Sequence, residues 1–240
     1  MRNTQPPRTP IWRAIGNALR QDISEGRYAP GDKLPTEAAL ADRFGVNRHT
    51  VRHALSDLVE QGLVRTRRGA GAFVAAMPTD YPIGERVRFR ENLLAAGRTP
   101  EKRLLLIEER AATLGEAKAL NVAEGEVICA YHGISLADGQ PVAVFESLFP
   151  ASRLPGIANA LSENHGVTAA LTQIGVADYI RVSTRLTAVS ATATQALHLQ
   201  VREGDPLLRS TGVNLDTDAQ PVEYGRTFFA GDRITLTLES

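Results

Sequence analysis

Two short stretches of this 240-residue chain gather side chains that could hold phosphate or read the edge of a base pair. In the first, Arg48, His49, Thr50 and Arg52 put two guanidinium groups, an imidazole and a hydroxyl within little more than one helical turn. In the second, Arg67, Arg68 and Gly69 open a basic, glycine-rich tip that continues through Ala70 and Gly71. A guanidinium can bridge guanine O6 and N7 or fork onto a phosphate, and a threonine hydroxyl or a glycine N–H can donate to phosphate oxygen. The grouping therefore points to duplex DNA, with Arg48, His49, Thr50 and Arg52 in a major groove. Arg67, Arg68 and Gly69 would then follow a minor groove or its phosphates.

A second set of candidates lies further along the chain. Arg88, Arg90 and Asn92 crowd one short segment, Glu146 sits in the apolar run of residues 142–148, and Glu223 and Arg226 lie close to the C-terminus. Strand alternation places Glu146 on the face of Val142, Val144 and Leu148, where a carboxylate needs a partner. The same alternation puts Tyr179, Arg181, Ser183 and Arg185 on one face. The expectation is that Arg88 and Arg181, joined by Arg185, hold a tetrahedral oxyanion such as phosphate or phosphonate, which the guanidinium fork suits. The plainer alternative stays open: Glu146 pairs with Arg181 or Arg226 inside the sheet, and Arg90 is solvated.

These residues need elements to hold them. Ile11, Ile15, Leu19 and Ile23 recur at helical spacing, and Thr36 can cap a short helix that carries Leu40, Ala41 and Phe44 inward. Only Gly45 and Val46 separate that helix from Asn47, the cap candidate of the next, so two helices must cross sharply. In the third helix Val51, Ala54, Leu55, Leu58 and Val59 form the apolar stripe, leaving Arg48, His49, Arg52 and His53 on the other side. Residues 63–74 then predict a hairpin with apolar ends. The pattern as a whole is a winged helix-turn-helix.

Charge agrees with this division. The whole chain balances 27 basic against 27 acidic residues, yet residues 1–76 carry 12 Lys+Arg to 7 Asp+Glu and residues 77–240 carry 15 to 20. A basic front on an acidic body fits phosphate contact at one end only. The expected boundaries are a DNA-binding domain over 1–76, a proline-containing linker over 77–82 and a sensor domain over 83–240.

The sensor half contains a diverged repeat. Residues 119–126 match 196–205, closing on Glu-Gly-Glu and Glu-Gly-Asp, and the turn segments 137–142 and 217–222 both end Gln-Pro-Val. Each copy reads as helix then hairpin, so the fold class is α+β, with a mainly antiparallel sheet and helices on it. Enzyme readings find little support: there is no Gly-x-Ser-x-Gly elbow, no P-loop and no His pair at metal-ligand spacing. His132, His165 and His198 are scattered, and Cys129 sits alone in an apolar run. No catalytic residue, metal site or cofactor is expected. With no apolar leader at the N-terminus and no uncharged apolar run of ~18 residues, a soluble cytoplasmic protein without a membrane partner is expected.

Residues 31–37, 40–52, 54–55, 62–64 and 69–74 together resemble the GntR family of bacterial transcription regulators. The resemblance implies a homodimer on inverted-repeat operator half-sites, with Arg48, Thr50, Arg52 and Gly69 touching DNA. Two departures stand out: Ala38 occupies a place where some relatives carry a DNA-contacting arginine, and Asn47 replaces the commoner Ser or Thr cap. Residues 83–236 resemble the sensor domain of the HutC-like branch, a chorismate-lyase-like (UTRA) fold in which effectors are held at the places of Glu146 and Glu223 and on the segment of Arg88, Arg90 and Asn92. The shorter runs 47–50, 80–82 and 88–94 resemble the PhnF group, which regulates phosphonate uptake and breakdown. The implied function is a ligand-responsive repressor for phosphonate- or phosphate-type compounds. A sugar phosphate or amino-acid catabolite is the alternative effector, and a chorismate-lyase-like enzyme the remote one.

Overall fold

The computed structural model describes residues 10–67, 69–75, 78–84, 88–164 and 166–238, the side chain of Arg67 excepted. The chain divides into two compact units, Met1–Met77 and Pro78–Ser240. The first comprises α1 (Ile11–Ser24), α2 (Glu37–Phe44), α3 (Arg48–Glu60) and the antiparallel pair β1 (Val64–Arg67) and β2 (Gly71–Val74). Its core gathers Ile15 and Leu19 of α1, Leu40 and Ala41 of α2, and Val51, Ala54, Leu55 and Leu58 of α3. Each Val or Leu so buried contributes roughly 1.5–3 kcal/mol, which fixes the three helices more firmly than their own propensity could.

Local chemistry sets the helix ends. The Thr36 hydroxyl accepts from the Ala39 N–H, and the Asn47 side chain accepts from the Thr50 N–H at 2.8 Å. Between them Gly45 takes φ +64°, a left-handed conformation that costs glycine nothing and lets the chain turn within two residues. Buried Asp22 ties α1 to α2 through Arg43 at 2.7 Å, and the Arg43 hydrogen bond holds its carboxyl below the usual range. Trp12 stacks on His53 with ring centroids 4.2 Å apart, which gives that histidine a packing role.

The second unit begins with β3 (Thr79–Pro82), α4 (Phe89–Ala95), β4 (Pro100–Ala111), α5 (Leu114–Leu120), β5 (Val127–Ala137) and β6 (Gln140–Pro150). It continues with α6 (Ile157–Asn164), α7 (Val167–Gln173), β7 (Tyr179–Ser190), α8 (Ala193–Leu199), β8 (Pro206–Asp216), β9 (Pro221–Ala230) and β10 (Ile234–Thr237). Six strands form one antiparallel sheet in the order β4-β5-β6-β9-β8-β7. The internal repeat is visible in that order, since each copy supplies three strands and the copies meet at β6 and β9. Glu146 and Arg226 occupy matching places in the two copies and face each other across that junction.

The expected linker needs correction. Thr79–Pro82 is a strand, paired in parallel with Ile234–Thr237, and Tyr81 is buried. Its partner lies more than a hundred and fifty residues away, so no local pattern announces it.

One face of the sheet packs on α6 and α7 through Tyr131, Phe145, Phe149, Leu161 and Leu171. The other face packs on α5 through Ile128, Ala130 and Leu148, and on α8 through Ile134, Val144 and Leu199.

Candidate functional site

In the N-terminal unit, Arg48 and His49 stand exposed on the first turn of α3, as their helical spacing requires. Thr50 turns toward the cap instead, its hydroxyl donating to the Asn47 side chain at 2.9 Å. Arg52 is held by Glu37 of α2 through two parallel bonds, Nε to Oε1 at 3.0 Å and Nη2 to Oε2 at 2.6 Å. The Arg52 hydrogen bond keeps the Glu37 carboxyl below its ordinary range. This fork fixes the direction of Arg52 and joins the two helices, an effect the sequence does not display because the partners are 15 residues apart. Gly69 lies exposed at the hairpin tip. Arg68 and the Arg67 side chain lie outside the described residues.

In the second unit a cavity of about 510 Å³ opens between the sheet, α4 and the start of α7. Of the candidates, Arg88, Arg90, Arg181 and Glu223 line it. Arg88 donates to Asp178 at 3.0 Å and lies 5.7 Å from the centre of the Tyr179 ring. Arg181 donates through Nε to the Asn214 side chain at 3.2 Å, and Asn214 donates onward to Glu223 at 2.5 Å. Ser147 gives Glu223 a second bond at 2.6 Å. A buried carboxylate thus rests on neutral donors, which satisfies its lone pairs without cancelling its charge. Gly212 makes room for this arrangement: a Cβ there would lie 3.0 Å from Arg181 Nε and 2.8 Å from the Ser183 carbonyl.

Three candidates lie elsewhere. The Asn92 amide donates to the Pro82 carbonyl at 3.0 Å, joining α4 to β3 outside the cavity lining. Glu146 belongs to the opposite face, where it pairs with Arg226 at 2.5 Å and approaches Arg110 at 3.6 Å and His132 at 3.8 Å. The plainer alternative for Glu146, a pair with Arg226, is the one the structure contains. Arg185 also leaves the cavity, because the pairing of β7 with β8 shifts register between Arg181 and Ser183. That extra residue, Val182, reverses the alternation, so Arg181 stands opposite Asn214 while Arg185 stands opposite Thr211 in the row of Glu146 and Arg226.

The cavity also contains groups that the sequence pattern leaves unmarked. Lys102, Ser147 and Thr168 all line it, and Tyr179, which alternation already sets beside Arg181, shares a 2.7 Å hydrogen bond with Thr168. Burial pushes the Tyr179 phenol up to about 12, so it stays a neutral donor at ordinary pH. The opposite face is more tightly closed. Glu116 accepts from Arg110 at 2.8 and 2.9 Å and from Arg226 at 3.1 Å, and chiefly the Arg110 bond brings its carboxyl down to about 2.

Comparison with known proteins is consistent along the whole chain. Residues 12–74 match the model of the bacterial regulatory proteins of the gntR family, and residues 95–235 match the UTRA domain. An HTH-type transcriptional regulator of Rhizobium meliloti is 38% identical over 231 residues, covering 96% of this chain and 95% of that one. The probable transcriptional regulator PhnF of Escherichia coli is 33% identical over 239 residues, covering 99% and 98%. The crystal structure of PhnF from Mycobacterium smegmatis superposes with a TM-score of 0.63 at 27% identity, covering 94% of this chain and 98% of that one. Among the described residues, no helix is long and apolar enough to cross a membrane.

Proposed function

This chain belongs to the GntR family of bacterial transcription regulators and carries the UTRA domain of its HutC-like branch, and from that premise we propose a repressor whose operator binding responds to a phosphonate- or phosphate-type anion. It is a regulator and not an enzyme, as its relatives are. The observation that carries the ligand class is the convergence of Arg88, Arg181 and the exposed Arg90 on one cavity, where Arg90 and Arg181 have no carboxylate partner among the described residues. Guanidinium groups left with open N–H positions are ready donors for tetrahedral oxyanions. The likeness to PhnF supports the same class.

At the other end, Arg48 and His49 on the free start of α3 read base edges, Arg52 is aimed by Glu37, and Gly69 approaches the backbone at the wing. Two copies in a homodimer present these modules to the half-sites of an inverted repeat, and ligand in the cavity favours the sensor conformation with the wrong spacing. The domain limits that go with this reading are 1–77 for DNA and 78–240 for the sensor, with β3 counted in the sensor.

A second effector class has its own support. Relatives include repressors named for fructoselysine utilization in Escherichia coli (24% identical) and for mannosyl-D-glycerate transport and metabolism (26%). A cavity of about 510 Å³ has room for a sugar attached to the anion. A gel-shift titration on the gene's own upstream region, with methylphosphonate, inorganic phosphate and a hexose 6-phosphate as separate arms, tests both. Release by one of these anions is expected; an operator complex indifferent to all three contradicts the anionic ligand.

A further inference from the structure

Lys102 stands out among the cavity residues because its ammonium sits among aromatic rings and, among the described residues, not in an ion pair. Along β4 Arg103 is exposed and outside the cavity lining, Glu101 is exposed at its edge, and Lys102 pairs with Ser135 and turns onto the cavity face. Its ammonium lies 4.6 Å from the centre of the Phe145 ring, 5.9 Å from Phe89 and 6.0 Å from Tyr131. The three rings come from β6, α4 and β5, so the group is walled from three sides. Among the described residues it makes no hydrogen bond and no ion pair.

Ring faces attract a cation, but they return only part of what its lost hydration costs. Enclosure accordingly pushes the Lys102 ammonium below the usual lysine range, an effect that the Glu223 carboxylate partly offsets. A methionine or leucine would pack against the same rings with no charge to desolvate. For folding alone, lysine is therefore a poor choice at this place, and groups that break a local rule in this way belong to functional sites more often than to cores. Of the other half-buried cations of the cavity, Arg88 already has Asp178 and Glu91 as partners and Arg181 has the Asn214 side chain.

Resting on the anionic-ligand reading above, we infer that Lys102 is the counter-ion of the ligand's oxyanion and sets the specificity of the cavity. Phe89, Tyr131 and Phe145 fix the ammonium and keep water from competing for it. Arg181 adds direction through its fork, while Lys102 adds charge that Glu223 offsets only in part and that a bound anion balances. A neutral ligand of the same shape leaves that charge uncompensated and is rejected. So is a ligand whose cationic group falls beside the three rings, because the protein's own ammonium holds that position.

The test compares full-length wild type, Lys102→Met and Lys102→Arg by thermal unfolding and calorimetry, with methylphosphonate, inorganic phosphate and a hexose 6-phosphate as probes. Without ligand, Lys102→Met should unfold at the same or a higher temperature than wild type, since an unpaired enclosed charge has been removed. Its ligand-induced stabilisation should vanish, with affinity down at least tenfold, and Lys102→Arg should recover part of it. A lower unfolding temperature for unliganded Lys102→Met would make the lysine a structural group and overturn the inference. So would unchanged affinity in Lys102→Met when wild type responds to a probe, which leaves the anionic-ligand reading standing. If wild type responds to none of the three anions, that reading and this inference fail together.

Discussion

On the α5 side of the sensor sheet, Arg110 and Arg226 meet Glu116 and Glu146 at 2.5 to 3.6 Å across the junction of the two repeat copies. On the cavity side, Lys102, Arg90 and Arg181 form no ion pair among the described residues, and Glu223 is held by serine and asparagine. The same residue types thus serve two ends. Where each charge is matched within the protein, the sheet gains a cross-link and nothing is left for a ligand. The cavity lining sets Arg88, Arg90, Lys102 and Arg181 against Glu91, Glu101 and Glu223, an excess of one cation that the proposed anionic ligand would balance. The N-terminal unit repeats the contrast on a smaller scale, with Arg52 forked onto Glu37 while Arg48 is exposed and, among the described residues, forms no ion pair.

The contrast breaks most visibly at Glu116. Glu116→Ala leaves Arg110 and Arg226 short of a partner and should cost about 3 kcal/mol in chemical denaturation, with ligand affinity of the folded protein unchanged. The pH dependence carries the same information. Because the Glu116 pKa falls from 4.5 to about 2 on folding, its contribution is complete above pH 4.5 and is lost as pH drops toward 2. That loss should amount to about 2 kcal/mol, reduced from the full value because Arg110 is partly solvated, and should be absent in Glu116→Gln.

On the cavity side, Arg181→Ala should weaken methylphosphonate or phosphate binding by roughly 10- to 100-fold in calorimetry, the worth of a charge-assisted hydrogen bond, with a smaller effect on stability. A stability loss equal to that of Glu116→Ala would erase the distinction between the faces. At the DNA end, Arg48→Ala should cost about 1–3 kcal/mol in specific operator binding and relax one base preference. Glu37→Gln should sharpen the comparison in the opposite sense. By freeing Arg52 it should steepen the salt dependence of binding by about one phosphate equivalent while narrowing the gap between operator and random duplex. The smallest effect belongs to Arg185→Ala, which should leave ligand affinity within about twofold because the bulge at Val182 turns that side chain to the far face.

Those last two residues show what the sequence does and does not display. The winged helix-turn-helix is legible because each of its signals is local: the Thr36 and Asn47 caps, the glycine between two helices and the apolar stripe of α3 all act within a few residues. The hairpin repeat is legible for the same reason, and Arg88 and Arg181, grouped from the sequence, line one cavity. Parity carried too far placed Arg185 beside Arg181, since one inserted residue reverses every later side chain and Val182 looks like any other strand residue. The Arg226 partner of Glu146 and the strand face it shares with Val144 and Leu148 could be named, but not that this face turns to α5 and α8 and away from the cavity. Lys102 escaped notice because Pro100–Ala111 reads as a charged edge strand, and only the approach of Phe89 and Phe145 from other elements encloses it. Thr79–Pro82 passed for a linker because its partner strand ends the sensor domain.

The central claim is that unmatched cations in the cavity bind an anion and that this binding governs operator affinity. It is tested most directly by titrating methylphosphonate, phosphate and a hexose 6-phosphate against a preformed operator complex of wild type and of Arg181→Ala, read by fluorescence anisotropy. The account predicts that one of these anions releases wild-type protein from its operator and that Arg181→Ala needs at least tenfold more of it. Release at the same concentration in both proteins, or no release by any anion while calorimetry shows binding, would contradict it.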